Sequence, residues 1–232
     1  MLKKIISSLL AAFVLISCNN SGNYTITGAI EGILDGDTVT LGYSTNGEEF
    51  TKTDYTTVSG GEFCFSGKSE GCDIYYICYN NGEEPQYMLF FLEEGDIRIN
   101  ISQERATAEG TPTNDLNTTI EKRYSEYISK IYEHQYRLST DSLLTDSLSS
   151  ELTLQIMEAQ RDAGYYLQDI IRENYKSTLG LFYLVQYSFL FDDDELTFLT
   201  NNIPEECINR NNNCMYDILQ EELFNRNMNA GK

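Results

Sequence analysis

The stretch that decides the fold of this chain is Tyr24-Thr25-Ile26-Thr27-Gly28-Ala29-Ile30. Its apolar side chains recur at every second position, which is the period of a β-strand with one buried face. Similar alternating stretches, separated by turn residues such as Asp35-Gly36 and Ser59-Gly60, continue to about residue 109. About seven such strands predict an antiparallel β-sandwich or a partly closed barrel over residues 24–110.

The apolar spacing changes to three and four residues near position 111, where helices are expected to begin. Stripes over residues 116–138 and 148–170 predict two long helices that form an antiparallel hairpin. Asn114 and Asp146 are the predicted N-cap residues. With shorter helices after the hairpin, the fold class is α+β, and residues 111–232 form the helical region. The predicted hairpin seam contains Ile120, Tyr124, Ile156 and Ala163.

The start of the chain has the features of an export signal. Two lysines precede an apolar run that ends at Ile16. This run is shorter than the roughly 20 residues that span a bilayer, but it fits the core of a signal peptide. Leu15-Ile16-Ser17-Cys18 resembles the lipobox of bacterial lipoproteins. We therefore predict a lipoprotein signal peptide over residues 1–17, acylation of Cys18, for example with palmitate, and a tether over residues 18–23.

The charge of the chain limits its partners. The formal net charge is −20, and it becomes −22 once the two lysines of the signal peptide are removed. Such a surface repels phosphate backbones, so nucleic acid is not an expected partner. The acyl chains on Cys18 are the predicted contact with the lipid bilayer. This places the protein in the cell envelope, anchored to the outer membrane and facing either the periplasm or the cell exterior.

The remaining cysteines are candidates for disulfides or reactive thiols. No C-x-x-C motif occurs, so the redox motif of thioredoxin is absent from the sequence. The spacing allows a Cys64–Cys78 bridge across strands and a Cys207–Cys214 bridge, and buried apolar thiols are the alternative. Close pairs of zinc ligands are missing, and no metal or cofactor is predicted. The five candidates are Cys64, Cys72, Cys78, Cys207 and Cys214.

The sequence carries no catalytic constellation, so we do not expect an enzyme. His134 is the single histidine, and no nucleophile-elbow motif accompanies it. The acidic runs at 35–37 and 192–195 lack the ligand spacing of a calcium loop, and turn formation and helix capping account for them.

A group of tyrosines provides the candidate binding surface. Strand alternation places two of them on one face of the sheet and a third on the opposite face. If one face is exposed, its aromatic side chains suit contact with a peptide or a glycan, whereas packing on both faces is the alternative. The four residues are Tyr75, Tyr76, Tyr79 and Tyr87.

Four stretches carry a likeness to a known family: residues 24–32, 60–67, 90–97 and 110–116. Together they resemble the uncharacterised N-terminal β-domain of Bacteroidota-type lipoproteins that carry a thioredoxin-like domain further along the chain. The resemblance covers roughly residues 23–230. The redox activity of those proteins is not carried over, because no residues here match the thioredoxin-like domain.

These observations predict a membrane-anchored, non-enzymatic accessory lipoprotein. Its β-domain would bind or position an envelope protein, peptide or glycan, and its helices would brace that domain. A thiol-redox accessory protein related to the thioredoxin-like lipoproteins, or a truncated remnant of one, is the alternative.

Overall fold

The protein is described by a computed structural model over residues 22–44, 49–80, 82, 84–141, 144–208 and 213–230. The predicted signal peptide and Cys18 lie outside the described residues.

Two four-stranded sheets face each other in the first part of the chain, which confirms the predicted sandwich. The first sheet has the order β4-β1-β7-β8 and the second has the order β3-β2-β5-β6, and neither closes into a barrel. Alternate apolar side chains from both sheets, including Ile26, Phe63 and Ile77, share one core. The strands are β1 Tyr24–Ile30, β2 Thr38–Ser44, β3 Phe50–Thr57, β4 Glu62–Gly67, β5 Asp73–Asn80, β6 Pro85–Leu92, β7 Gly95–Ile101 and β8 Ala106–Glu109.

The sheets differ from the prediction in two details. Strands β1 and β7 pair in parallel, with Ile26 opposite Ile97, whereas the other paired strands are antiparallel. Alternation of side chains is the same in both kinds of pair, so it does not reveal strand direction. Strand β8 was not predicted, because its four residues contribute only Ala108 to the core.

The helices follow the strands and begin with the predicted hairpin. In its seam Ile120, Ile156 and Ala163 are buried, whereas Tyr124 is only half-buried at the edge. A short 3-10 turn, Ser188–Leu190, follows the third helix. The helices are α1 Pro112–Thr140, α2 Asp146–Asn174, α3 Thr178–Tyr187, α4 Asp193–Asn201, α5 Glu205–Ile208 and α6 Asn213–Ala230.

The predicted N-cap residues of the two long helices were wrong. Thr111 occupies the N-cap of α1. Thr145 occupies that of α2, where its side chain accepts a hydrogen bond from the Leu148 N–H. Both N-cap residues are therefore threonines, one directly before Asp146 and the other three residues before Asn114.

The helices pack on the outer face of the second sheet. Ile74 of β5 and Phe91 of β6 belong to a second apolar cluster together with Ile120 of α1, Leu167 of α2 and Leu179 of α3. Part of this sheet therefore has a core on both faces. This arrangement explains why strand β6 ends in the continuous apolar run Leu89–Leu92, since a strand covered on both sides does not alternate.

Asn114 joins the first helix to the edge of this sheet. Its side-chain Oδ1 accepts from the Phe91 N–H at 2.9 Å, and its Nδ2 donates to the Phe91 carbonyl at 2.6 Å. The carboxylate of Glu93 accepts from the Thr113 N–H at 2.8 Å. Glu93, which directly follows β6, thus satisfies a free N–H in the first turn of α1. The helix dipole also favours a negative charge at this end of the helix.

We expect Asn114→Ala to lower the free energy of unfolding by about 2 kcal/mol or more. Asn114 is 1% exposed, and its removal leaves the N–H and the carbonyl of Phe91 without their partner at a buried position. Denaturant titration measures the loss. Asn225→Ala, at an exposed site on α6, is the matched control and should change stability by less than about 0.5 kcal/mol. Equal stability of the two variants would contradict this role.

Candidate functional site

The four predicted surface tyrosines have different positions in the fold. Tyr75 and Tyr79 pack against the core of the sandwich. Tyr76, on the opposite face of β5, packs against the helices. Tyr87 of β6 is 52% exposed. Packing on both faces thus accounts for three of the tyrosines, and only Tyr87 remains available to a partner.

Tyr87 belongs to an aromatic surface on the part of the second sheet that the helices leave uncovered. We call Phe50, Tyr55 and Tyr87 the sheet patch. The Phe50 and Tyr87 rings contact each other with centroids 5.4 Å apart. Tyr55 is 61% exposed, and the Lys52 Nζ lies 4.1 Å from its ring centroid. The strand pairing places all three aromatic side chains on the outer face of the sheet.

A glycine and a bulge shape this patch. The register between β2 and β3 shifts between Leu41 and Gly42. A Cβ atom at Gly42 would lie 2.5 Å from Cζ of Phe50, so the Phe50 ring occupies the space that any other side chain would need. The ring therefore lies beside Gly42 of β2, from where it contacts Tyr87.

The two disulfide pairs that the sequence spacing allows do not form. Cys64 lies on β4 in the first sheet, whereas Cys78 lies on β5 in the second sheet and has a free thiol. Cys207 and Cys214 both keep their thiol groups. Cys207 is 5% exposed, and its Sγ lies 3.6 Å from the Lys176 carbonyl oxygen. Sequence spacing could not exclude the Cys64–Cys78 pair, because it does not show which sheet a strand joins.

Cys72 occupies an environment that keeps its thiol protonated. Its Sγ lies 3.7 Å from Oγ1 of Thr113. Burial raises the pKa of the Cys72 thiol to about 12, and the nearby carboxylates of Glu93 and Asp73 contribute in the same direction. Burial also raises the pKa of Cys214. Because the thiolate is the nucleophile, both side chains are poor nucleophiles at neutral pH.

A second surface feature lies between α1, α2 and the 3-10 turn, and sequence analysis missed it. This hairpin groove has a volume of about 380 Å³ and is open to solvent. Two aromatic side chains at its rim, Tyr132 and Phe189, are 67% and 69% exposed. Its lining residues are Tyr124, Ile128, Ile131, Tyr132, Gln135, Gln160, Ala163, Gly164, Leu167, Tyr187, Phe189 and Leu190.

Ring contacts connect the hairpin groove to the interior. Tyr187 stacks on Tyr183 with an interplanar angle of 14° and contacts Tyr124 at 5.9 Å. The Tyr183 hydroxyl donates to Oδ1 of Asn117 at 2.9 Å. Burial raises the pKa of Tyr183, and it raises that of Tyr187 to about 12. These hydroxyls therefore stay neutral hydrogen-bonding groups at physiological pH.

The part of the chain that the structure describes holds no cluster of three metal-binding side chains. Its helices also include none with the length and apolar content needed to cross a bilayer.

The architecture defines an α+β protein in which a two-sheet sandwich carries a helical hairpin and shorter helices on one outer face. Residues 24–117 match the model of a family described as Domain of unknown function (DUF4369). This match covers all eight strands and the first turns of α1, including Asn114. No curated protein and no solved structure matches the chain.

We expect Cys72 to react slowly with iodoacetamide in the native protein at pH 8. Its pKa of about 12 keeps the thiolate scarce, and unfolding returns the pKa to its ordinary value. Alkylation should therefore be faster by about a hundredfold or more in urea, and the native rate should rise as the pH approaches 12. Mass spectrometry of the Cys72 peptide measures both rates. Similar rates in native and unfolded protein at pH 8 would contradict the buried environment.

Proposed function

We propose that this protein is a membrane-anchored accessory lipoprotein without enzymatic activity, which binds an envelope protein through the sheet patch. The observation that carries the proposal is the aromatic surface of Phe50, Tyr55 and Tyr87, in which Tyr55 and Tyr87 are exposed and Phe50 is half-buried. It lies on a sheet of which another part is covered on both faces. Exposed aromatic side chains on a rigid support suit recognition, because little conformational entropy is lost when a partner packs on them.

The adjacent edge strand favours a peptide segment as the partner. Strand β3 pairs only with β2 among the described strands, and most of its side chains are exposed. Its outer edge can therefore take an extended peptide by strand addition, while the sheet patch holds the side chains of that peptide. A glycan is the competing ligand that the same aromatic rings could hold.

The proposed anchor is the acylated Cys18. A net charge of −20 gives the protein no electrostatic attraction to anionic lipids, so attachment to a membrane would depend on acyl chains. The raised pKa values of Cys72 and Cys214 and the burial of Cys207 weaken the alternative of a thiol-redox protein.

We expect Cys18→Ser to abolish metabolic labelling of the protein with a radioactive fatty acid, because the thiol that receives the acyl group is removed. The variant should also leave the membrane fraction or accumulate with its signal peptide attached. Cys78→Ser, which removes an unrelated thiol, is the control and should be labelled like the wild type. Unchanged labelling of Cys18→Ser would refute the anchor.

We expect the double variant Phe50→Ala, Tyr87→Ala to bind its envelope partner at least about tenfold more weakly, since exposed aromatic side chains are the usual hot spots of an interface. The measurement is cross-linking in intact cells, followed by quantitative mass spectrometry of the proteins attached to the wild type and to the variant. Tyr136→Ala removes a ring that is 69% exposed on α1 and should leave the attached proteins unchanged.

Two results would count against this proposal. If the double variant and the wild type attach the same proteins in the same amounts, the sheet patch is not the binding surface. If patch-dependent retention of the protein on envelope material survives protease treatment of that material, the ligand is a glycan and not a peptide.

A further inference from the structure

We propose that the hairpin groove binds an uncharged single-chain lipid, with its hydrocarbon chain along the floor of the groove and a neutral polar head at the rim. This site is separate from the sheet patch, so the inference goes beyond the proposed function and does not depend on it.

The size and the lining of the hairpin groove are those of a ligand site. Its volume of about 380 Å³ lies within the range of about 300–1,000 Å³ that small-molecule sites occupy. Aliphatic side chains form the floor, where Ile131 and Leu167 are 8% and 2% exposed. A hydrocarbon chain can cover such a floor without burying polar atoms, whereas the amides of a peptide backbone would lose their hydrogen bonds to water there.

The polar groups at the rim are neutral. Gln135 and Gln160 line the groove and are exposed, and their primary amides can both donate and accept hydrogen bonds. The hydroxyl groups of Tyr124 and Tyr132 add further neutral donors and acceptors. These groups suit the hydroxyl or ester oxygens of a neutral lipid head.

The charge of the site selects against ionised lipids. None of the residues that line the groove carries a charged side chain, and the chain as a whole has a net charge of −20. The carboxylate of a fatty acid or the phosphate of a phospholipid would find no cation in the lining, and the acidic protein would repel it. A monoacylglycerol has the required chemistry.

Gly164 keeps the floor of the groove open. It lies in the interior of α2, where glycine costs about 1 kcal/mol relative to alanine. A Cβ atom here would lie 3.6 Å from Cδ2 of Leu190, which is an ordinary contact, so a methyl group fits. A leucine at this position would extend along the floor and occupy the space proposed for the lipid chain.

The test uses the full-length protein and two photoreactive probes of the same chain length. One is a monoacylglycerol and the other is a fatty acid, each with a diazirine in its chain. Mass spectrometry locates the labelled peptides. We expect saturable labelling of the α1 and α2 segments that line the groove by the monoacylglycerol, and at least tenfold weaker labelling by the fatty acid.

Variants distinguish the groove from non-specific contact with lipid. Gly164→Leu should reduce groove labelling by the monoacylglycerol at least tenfold, whereas Gly164→Ala should keep it within about twofold and raise the melting temperature. Ile128→Gln, at a partly exposed floor position, is the second variant if Gly164→Leu folds poorly, and it should also reduce labelling. Tyr87→Ala in the sheet patch should leave groove labelling unchanged. Groove labelling therefore tests the lipid site without testing the proposed function of the sheet patch.

Three results would overturn the inference. Labelling that is equal in the wild type, Gly164→Leu and Ile128→Gln would show that the lipid does not occupy the groove. Labelling confined to other parts of the protein would show the same. Groove labelling by the fatty acid as strong as that by the monoacylglycerol would show that the site accepts ionised heads.

Discussion

The hydrogen bonds between Asn114 and Phe91 fix the relation between the two parts of this molecule. Strand β6 is at the edge of the second sheet, where the outward N–H and carbonyl of Phe91 would otherwise face solvent or another chain. The side-chain amide of Asn114 takes the place of a neighbouring strand at this one residue. Glu93 adds a second link, through its bonds to Thr113. Helix α1 therefore begins at a defined point on the sheet, and its direction places the hairpin.

The family match includes the residues that attach helix α1 to the sheet. It ends at residue 117, two turns into α1, and so includes both Asn114 and Asn117. Asn117 in turn accepts from the Tyr183 hydroxyl, which connects the start of α1 to α3. The strands of the domain and the residues that dock the first helix thus form one structural unit. Phe91 itself is fully buried, in a cluster with Leu167 of α2 and Leu179 of α3.

The alternation of side chains was sufficient to predict seven of the eight described strands, and the helical stripes were sufficient to predict the hairpin. Both patterns show which side chains are buried. The period of the buried positions distinguishes a strand from a helix. The patterns could not predict that β1 pairs with β7 in parallel, or that Cys64 and Cys78 lie on different sheets, because those facts depend on the order of strands. Asn114 was interpreted as a local cap, since its actual partner, Phe91, is 23 residues away.

The candidate surfaces were predictable only in part, for a related reason. Tyr87 was among the predicted binding residues, but the sequence could not show that Tyr75, Tyr76 and Tyr79 are covered by two separate cores. The hairpin groove depends on the 3-10 turn that brings Phe189 and Leu190 beside α2. No periodic pattern in the sequence predicts that this turn lies beside α2. Gly164 was the one available signal, because a glycine inside a long amphipathic helix implies a reason for leaving a side chain out.

The negative charge of the protein restricts the ligands that either candidate surface could bind. Arginines on the helices are engaged by carboxylates, as in the pairs Arg172–Glu195 and Arg226–Glu222, and the net charge is still −20 with every arginine and lysine counted. A strongly acidic surface keeps the protein soluble and repels anionic membranes and polymers. Ligand groups that tolerate this field are neutral or cationic. The sheet patch is aromatic with a single nearby lysine, and the hairpin groove is aliphatic with tyrosines and glutamines. As proposed, both surfaces would select partners by apolar contact and hydrogen bonding, while the acidic charge of the molecule repels anions.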